Sequence, residues 1–102
     1  MSYAPIFNEE QTIDNGSPMT QYTGGVHVGP CVALISGRQA SNNASIDFYM
    51  NDDSSTTTRV YVEATYQPFK VVVDDLSNLY FQAVSSDIVI SIIAYPINTI
   101  VP

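Results

Sequence analysis

The chain has 102 residues and a formal net charge of −7, with three basic residues against ten acidic ones. Binding to phosphate backbones or anionic lipid surfaces needs clustered lysine or arginine, so this balance argues against nucleic acid and membranes as partners. Charged residues make up 13% of the chain, about half of the usual ~25%. A polar surface that is mostly uncharged is typical of a protein that works inside an assembly.

The first 25 residues are predicted to form an extended N-terminal arm, ahead of a single domain at residues 26–102. Pro5, the Asn15–Gly16 pair, Pro18 and Gly24–Gly25 interrupt this region at short intervals. Its apolar residues are too sparse to form a core of their own. We therefore expect either the domain or a neighbouring subunit to hold the arm in place.

The domain itself has the pattern of a β-protein. Apolar and polar residues alternate, β-branched residues and tyrosines are abundant, and no window has helical periodicity. The predicted strands are residues 26–36, 44–50, 58–66, 69–73, 79–84 and 87–95. The Ser85–Ser86 pair is predicted to join the last two strands as a tight hairpin. The fold class that follows is all-β, a single β-sandwich or jelly roll of about six to eight short antiparallel strands.

The last predicted strand is apolar on both of its faces. One face carries Ile88, Ile90, Ile92 and Ala94, and the other carries Val89, Ser91, Ile93 and Tyr95. One apolar face suffices for the domain's own core, so the second must meet the arm or another subunit. The longest apolar run is far shorter than the ~20 residues of a membrane span, which favours a buried strand over an anchor. The N-terminal sequence lacks the pattern of a signal peptide, so we expect synthesis in the cytoplasm.

Tyrosines on the outward side of other strands extend this candidate interface. Tyrosine is enriched at protein interfaces, although ordinary cross-strand pairing on a solvated sheet face also accounts for it. The predicted self-association surface combines the arm, the tyrosines and the second face of the last strand: Tyr3, Ile6, Phe7, Tyr49, Tyr61, Tyr80, Val89, Ile93 and Tyr95.

Residues that could carry chemistry are few. His27 and Cys31 are the only histidine and the only cysteine. A metal site needs three or four ligands, and a nucleophilic cysteine needs an oriented base and an oxyanion hole. The doublets Asp52–Asp53 and Asp74–Asp75 could hold calcium, but both fall at predicted turns, where aspartate is common for local reasons. We therefore predict no catalytic residues, no metal, no cofactor and no enzyme activity.

The segment "PFKVVVDDLSNLYFQAVSSDIVISIIAY" resembles the C-terminal part of small bacteriophage virion structural proteins of the capsid decoration or cement type. The shared pattern is a short β-branched strand, a loop, "NLYF", a small polar hairpin and a final apolar strand, over about a quarter of the chain. The resemblance implies a homo-oligomer, often a trimer, bound to the major capsid protein at the virion surface, without an active site. The alternative is a receptor- or glycan-binding module of a phage tail or adhesin.

Overall fold

The structure is a computed structural model that describes residues 5–97. Within this range the chain forms two antiparallel four-stranded sheets and two single-turn 3₁₀ helices, so the predicted all-β sandwich is confirmed. The strands are β1 (Phe7–Ile13), β2 (Thr20–Gln21), β3 (Cys31–Gln39), β4 (Phe48–Asn51), β5 (Val60–Val62), β6 (Phe69–Val73), β7 (Tyr80–Ala83) and β8 (Ile88–Pro96). Sheet A has the order β1–β8–β3–β6, and sheet B has the order β2–β7–β4–β5.

The core lies between the two sheets and follows the alternation of the sequence. The predicted inward face of β8 is confirmed, because its four side chains are 0% exposed: Ile88, Ile90, Ile92 and Ala94. Sheet B adds aromatic rings, with Phe48 and Phe81 edge to face at 5.9 Å between centroids. Gly37 on β3 allows this packing, since a Cβ there would lie 2.7 Å from Cδ1 of Phe48.

The described part of the region assigned to an arm lies on the sandwich of its own chain. β1 pairs with β8 from Phe7 to Ile13, and this region also supplies core side chains, with Ile13 1%, Met19 5% and Tyr22 0% exposed. The ring of Tyr22 packs edge to face against Phe7 at 6.0 Å and against Phe81 at 6.2 Å. The strand pairing and these three side chains hold residues 7–22 against the domain.

The predicted hairpin at Ser85–Ser86 is wrong. β7 lies in sheet B between β2 and β4, whereas β8 lies in sheet A between β1 and β3. The Ser85–Ser86 pair therefore carries the chain from one sheet to the other. The connection is an arch between the sheets rather than a turn between hydrogen-bonded neighbours.

The first predicted strand is shifted along the chain. β3 begins at Cys31, after Pro30, and runs on to Gln39. The predicted strand ended at residue 36, but residues 37–39 continue β3 and pair with β8 at Ile90, Val89 and Ile88. β8 is thus paired on both sides along almost its whole length, which places it at the centre of sheet A.

Candidate functional site

The outer face of sheet A, on the side away from the core, is centred on β8. Strand alternation turns Val89, Ser91, Ile93 and Tyr95 to this side, and each of them is half-buried. The register sets outward residues of the two neighbouring strands beside them, namely Asn8, Glu10 and Thr12 on β1 and Val32, Leu34, Ser36 and Arg38 on β3. Beyond β3, the outward residues of β6 are Lys70 and Val72.

One end of this face is apolar. Tyr95 pairs with Val32, which pairs in turn with Val72, while Ile93 pairs with Leu34 in the next row. Val72 is 64% exposed although it lies in a strand. Ile6 precedes β1 and is 51% exposed, and its N–H donates to the carbonyl oxygen of Ala94 at 2.8 Å. We call Val32, Leu34, Val72, Ile93 and Tyr95 the outer patch; Val32 is 7% exposed, so the other four residues supply most of its accessible surface.

The charges of this face differ from those of the rest of the chain. Its outward side chains include one acid, Glu10, and two bases, Arg38 and Lys70. Arg38 donates to a carboxylate oxygen of Glu10 in an ion pair. This hydrogen bond lowers the pKa of Glu10, although exposure to water keeps the energetic contribution of the pair small. The other nine acids lie elsewhere on the molecule. The outer face of sheet A therefore does not share the chain's excess of acidic over basic residues.

The outer face of sheet B is polar and aromatic. Tyr49 and Tyr61 pair across β4 and β5, with ring centroids 5.4 Å apart. The guanidinium of Arg59 lies 3.6 Å from the ring centroid of Tyr49 and donates to the side chain of Gln82. The Tyr61 hydroxyl donates to Asp47, which raises the pKa of Tyr61 to about 12 and lowers the pKa of Asp47. These polar groups are engaged with one another, as in ordinary cross-strand pairing.

The structure divides the nine residues predicted to form one interface. Val89, Ile93 and Tyr95 lie on the outer side of sheet A, and Tyr49, Tyr61 and Tyr80 lie on the outer side of sheet B. Ile6 is exposed just before β1. Phe7 turns inward against Tyr22, and Tyr3 lies outside the described residues.

The prediction missed Val32, Leu34 and Val72 of the outer patch. The signal was present in "CVALIS" and "FKVVV", where both strand parities carry apolar residues, as in the last strand. Two-faced apolar strands that neighbour one another in a sheet make a continuous patch. The sequence alone does not show that β3 lies between β6 and β8 in one sheet.

His27 and Cys31 do not form a reactive pair. Cys31 is 0% exposed on the inner side of β3, and desolvation raises the pKa of its thiol. The side chain of His27 is 92% exposed, with Nδ1 3.7 Å from a carboxylate oxygen of Asp75. Asp75 also accepts from the backbone N–H and the hydroxyl of Ser77 and from the backbone N–H of His27, and these bonds lower its pKa. The arrangement ties one loop to another.

The other acidic doublet also makes turn contacts. Oδ1 of Asp53 accepts from the Asn51 side chain at 3.1 Å and from the Ser55 backbone at 2.8 Å. Between residues 5 and 97, no three His, Cys, Asp or Glu side chains are grouped as a metal site requires. In the same range, no helix is long and apolar enough to cross a membrane.

The comparisons with known proteins add no identification. No protein-family model, no curated protein and no solved structure matches the chain. The candidate site rests on the chain's own geometry, and the outer patch of sheet A is its clearest feature.

Proposed function

We propose that this chain is a non-enzymatic structural protein that self-associates through the outer face of sheet A and decorates or cements a bacteriophage capsid. The observation that carries the self-association is the outer patch. An apolar surface in water is unfavourable, and contiguous patches of this kind mark interaction sites on soluble proteins. A second copy of the same face covers the patch and meets few charges there.

The size of the face is compatible with this role. β8 has nine residues, and four strands at ordinary spacings give a flat area of roughly 500 Å². Accessible area exceeds flat area on a surface of side chains, and stable interfaces bury about 800 Å² per partner. A contact through the whole face is thus a small interface. Repetition of such contacts on a capsid lattice raises the overall affinity through avidity.

Charge also favours association through this face. Like charges that meet across an interface cost free energy, and a chain with a net charge of −7 repels its copies over most of its surface. The outer face of sheet A carries one acid, Glu10, which is ion-paired, and the base Lys70, which forms no ion pair with any residue between positions 5 and 97. Two copies that meet through this face bring few like charges together.

The capsid part of the proposal rests on the resemblance of residues 68–95 to phage decoration and cement proteins. It adds the major capsid protein as a partner and the virion surface as the location. The alternative, a receptor- or glycan-binding module, would use the tyrosines of sheet B. Because Arg59 and Tyr61 are already bonded to Gln82 and Asp47, we favour the structural role.

A matched pair of tyrosine substitutions tests the self-association. Tyr95→Gln removes a ring from the outer patch, whereas Tyr66→Gln removes a ring that is 71% exposed on the 3₁₀ helix Ala64–Tyr66, outside both sheets. In native mass spectrometry over a dilution series, we expect Tyr95→Gln to shift the equilibrium toward monomer by about ten-fold. Tyr66→Gln should behave as the wild type. Equal effects of the two variants contradict the proposed face.

Co-sedimentation with capsids of the encoding phage tests the second part. We expect saturable binding of the wild-type chain to the shell. If the chain self-associates but does not bind the capsid, the decoration role is refuted, and the proposed self-association through sheet A is unaffected.

A further inference from the structure

A second apolar surface lies along one side of the sandwich, between the edge strands β6 and β5. A groove of about 610 Å³ opens there. Most of its lining is apolar and comes from both sides of the sandwich: Met50, Val60, Phe69, Val71, Val72, Val73 and Leu79. Asn51, Asp52, Asp53 and Thr58 form its polar part.

The sandwich is incomplete along this groove. Val60 pairs with Met50 and shares its inward side, yet Val60 is 49% exposed whereas Met50 is 6% exposed. On the opposite side of the sandwich the edges are covered, with Ile13 1% and Tyr22 0% exposed. Val60 is exposed at the groove because no further strand covers it within residues 5–97.

The backbone of β6 is available along the same groove. β6 pairs with β3 on one side and is the last strand of sheet A on the other. At such an edge, alternate N–H and C=O groups point away from the sheet and can pair with another extended chain. A strand added there directs every second side chain into the groove and satisfies these backbone groups.

The polar part of the groove indicates the charge of the occupant. Asp52 and Asp53 form no ion pair with any residue between positions 5 and 97. Arg59, which follows in the same loop, is directed to the Tyr49 ring and to Gln82. A basic side chain therefore complements this end of the groove. A second copy of the chain supplies few such groups, because it has three basic residues and a net charge of −7.

We propose that this groove binds an extended segment of another protein, with alternating apolar residues and a flanking lysine or arginine, as an added strand on β6. The apolar side chains of the segment cover Val60 and Val71. Its basic residue lies beside Asp52 and Asp53. The site shares Val72 with the outer patch, but its other lining residues lie outside that patch, and the proposal does not depend on the proposed self-association.

Three synthetic peptides test the proposal on the full ¹⁵N-labelled chain by NMR titration. The first alternates threonine and valine between terminal lysines, the second has glutamate in place of lysine, and the third is the first with alternate backbone nitrogens methylated. We expect the lysine peptide to shift the amides of Val60 and of β6. The glutamate peptide should bind at least about five-fold more weakly. The methylated peptide should not bind, because it cannot complete the strand pairing.

Charge-removal variants give the matched control. Asp52→Asn together with Asp53→Asn should weaken the lysine peptide about five-fold, since each exposed ion pair contributes about 0.5 kcal/mol. Asp14→Asn removes one charge just after β1, outside the groove, and should change the affinity by less than about two-fold.

Four results would overturn the proposal. They are no binding of the lysine peptide, equal binding of the glutamate peptide, binding by the methylated peptide, and shifts confined to residues outside the groove. Concentration-dependent protection of β6 amides without any peptide would assign the edge to a second copy instead.

Discussion

Two alanine substitutions three residues apart on β8 separate the core face of this strand from its outer face. Ile90 is 0% exposed between the sheets, whereas Ile93 is half-buried on the outer face of sheet A. Removing a fully buried isoleucine side chain costs about 2–5 kcal/mol, because the cavity adds to the lost transfer free energy. Ile93→Ala in the monomer removes a side chain that is already partly in water, so we expect a loss of about 1 kcal/mol.

Urea unfolding followed by circular dichroism measures both losses. A domain of this size has a free energy of unfolding of about 5–15 kcal/mol, so Ile90→Ala should lower the midpoint far more than Ile93→Ala at low protein concentration. At high concentration the wild type should gain stability from association, and Ile93→Ala should not. Equal losses from the two substitutions, or a larger loss from Ile93→Ala, would refute the assignment of the faces.

Three further predictions concern acid stability, the N-terminal region and the thiol. Hydrogen bonds from Tyr61 and from the Ala64 backbone lower the pKa of Asp47, so its stabilising contribution is present above the unfolded pKa of about 3.9 and is lost as pH falls through the folded pKa. Below about pH 4, thermal melts should therefore show a greater loss of stability for the wild type than for Asp47→Asn; parallel pH profiles would contradict this reasoning. Deletion of residues 1–25 removes β1 and the buried side chains of Ile13, Met19 and Tyr22, so the dispersed NMR spectrum of a folded domain should be lost. Cys31 is 0% exposed and should react with a thiol reagent at the rate of unfolding; fast labelling in native buffer would show that β3 opens locally.

Alternation along the chain predicted which side of β4, β7 and β8 faces the core. The buried sets on β4, β7 and β8 follow the predicted parity, because the side-chain period of two is a local property of an extended backbone. On β8, for example, the alternating residues Ile88, Ile90 and Ile92 are all 0% exposed.

Strand pairing was harder to predict because it depends on contacts between distant residues. The Ser85–Ser86 link has the length of a hairpin, yet it crosses between sheets, and nothing local distinguishes the two geometries. β1 carries Asn8, Glu9 and Glu10 at the outer edge of sheet A, where polar residues are tolerated, so its sequence lacks the pattern of a buried strand.

The candidate surfaces depend on the same non-local information. Val60 has the parity of a core residue, and its exposure results from the open edge between β5 and β6. The outer patch was predicted in part from β8 alone. Its remaining residues became apparent only once β3 and β6 were placed beside that strand.

Small-angle X-ray scattering over a concentration series tests the central claim, self-association through the outer face of sheet A, most directly. The single chain has a mass of 11.1 kDa and a Cα radius of gyration of 13.0 Å. Two copies that meet across the shortest dimension, 20 Å, have a combined radius of about 16 Å, the root of 13.0 squared plus 10 squared. We predict that the mass at least doubles as the concentration rises, with this increase in radius. Tyr95→Gln should show neither increase over the same concentrations. A constant mass of 11.1 kDa at every concentration would contradict the account.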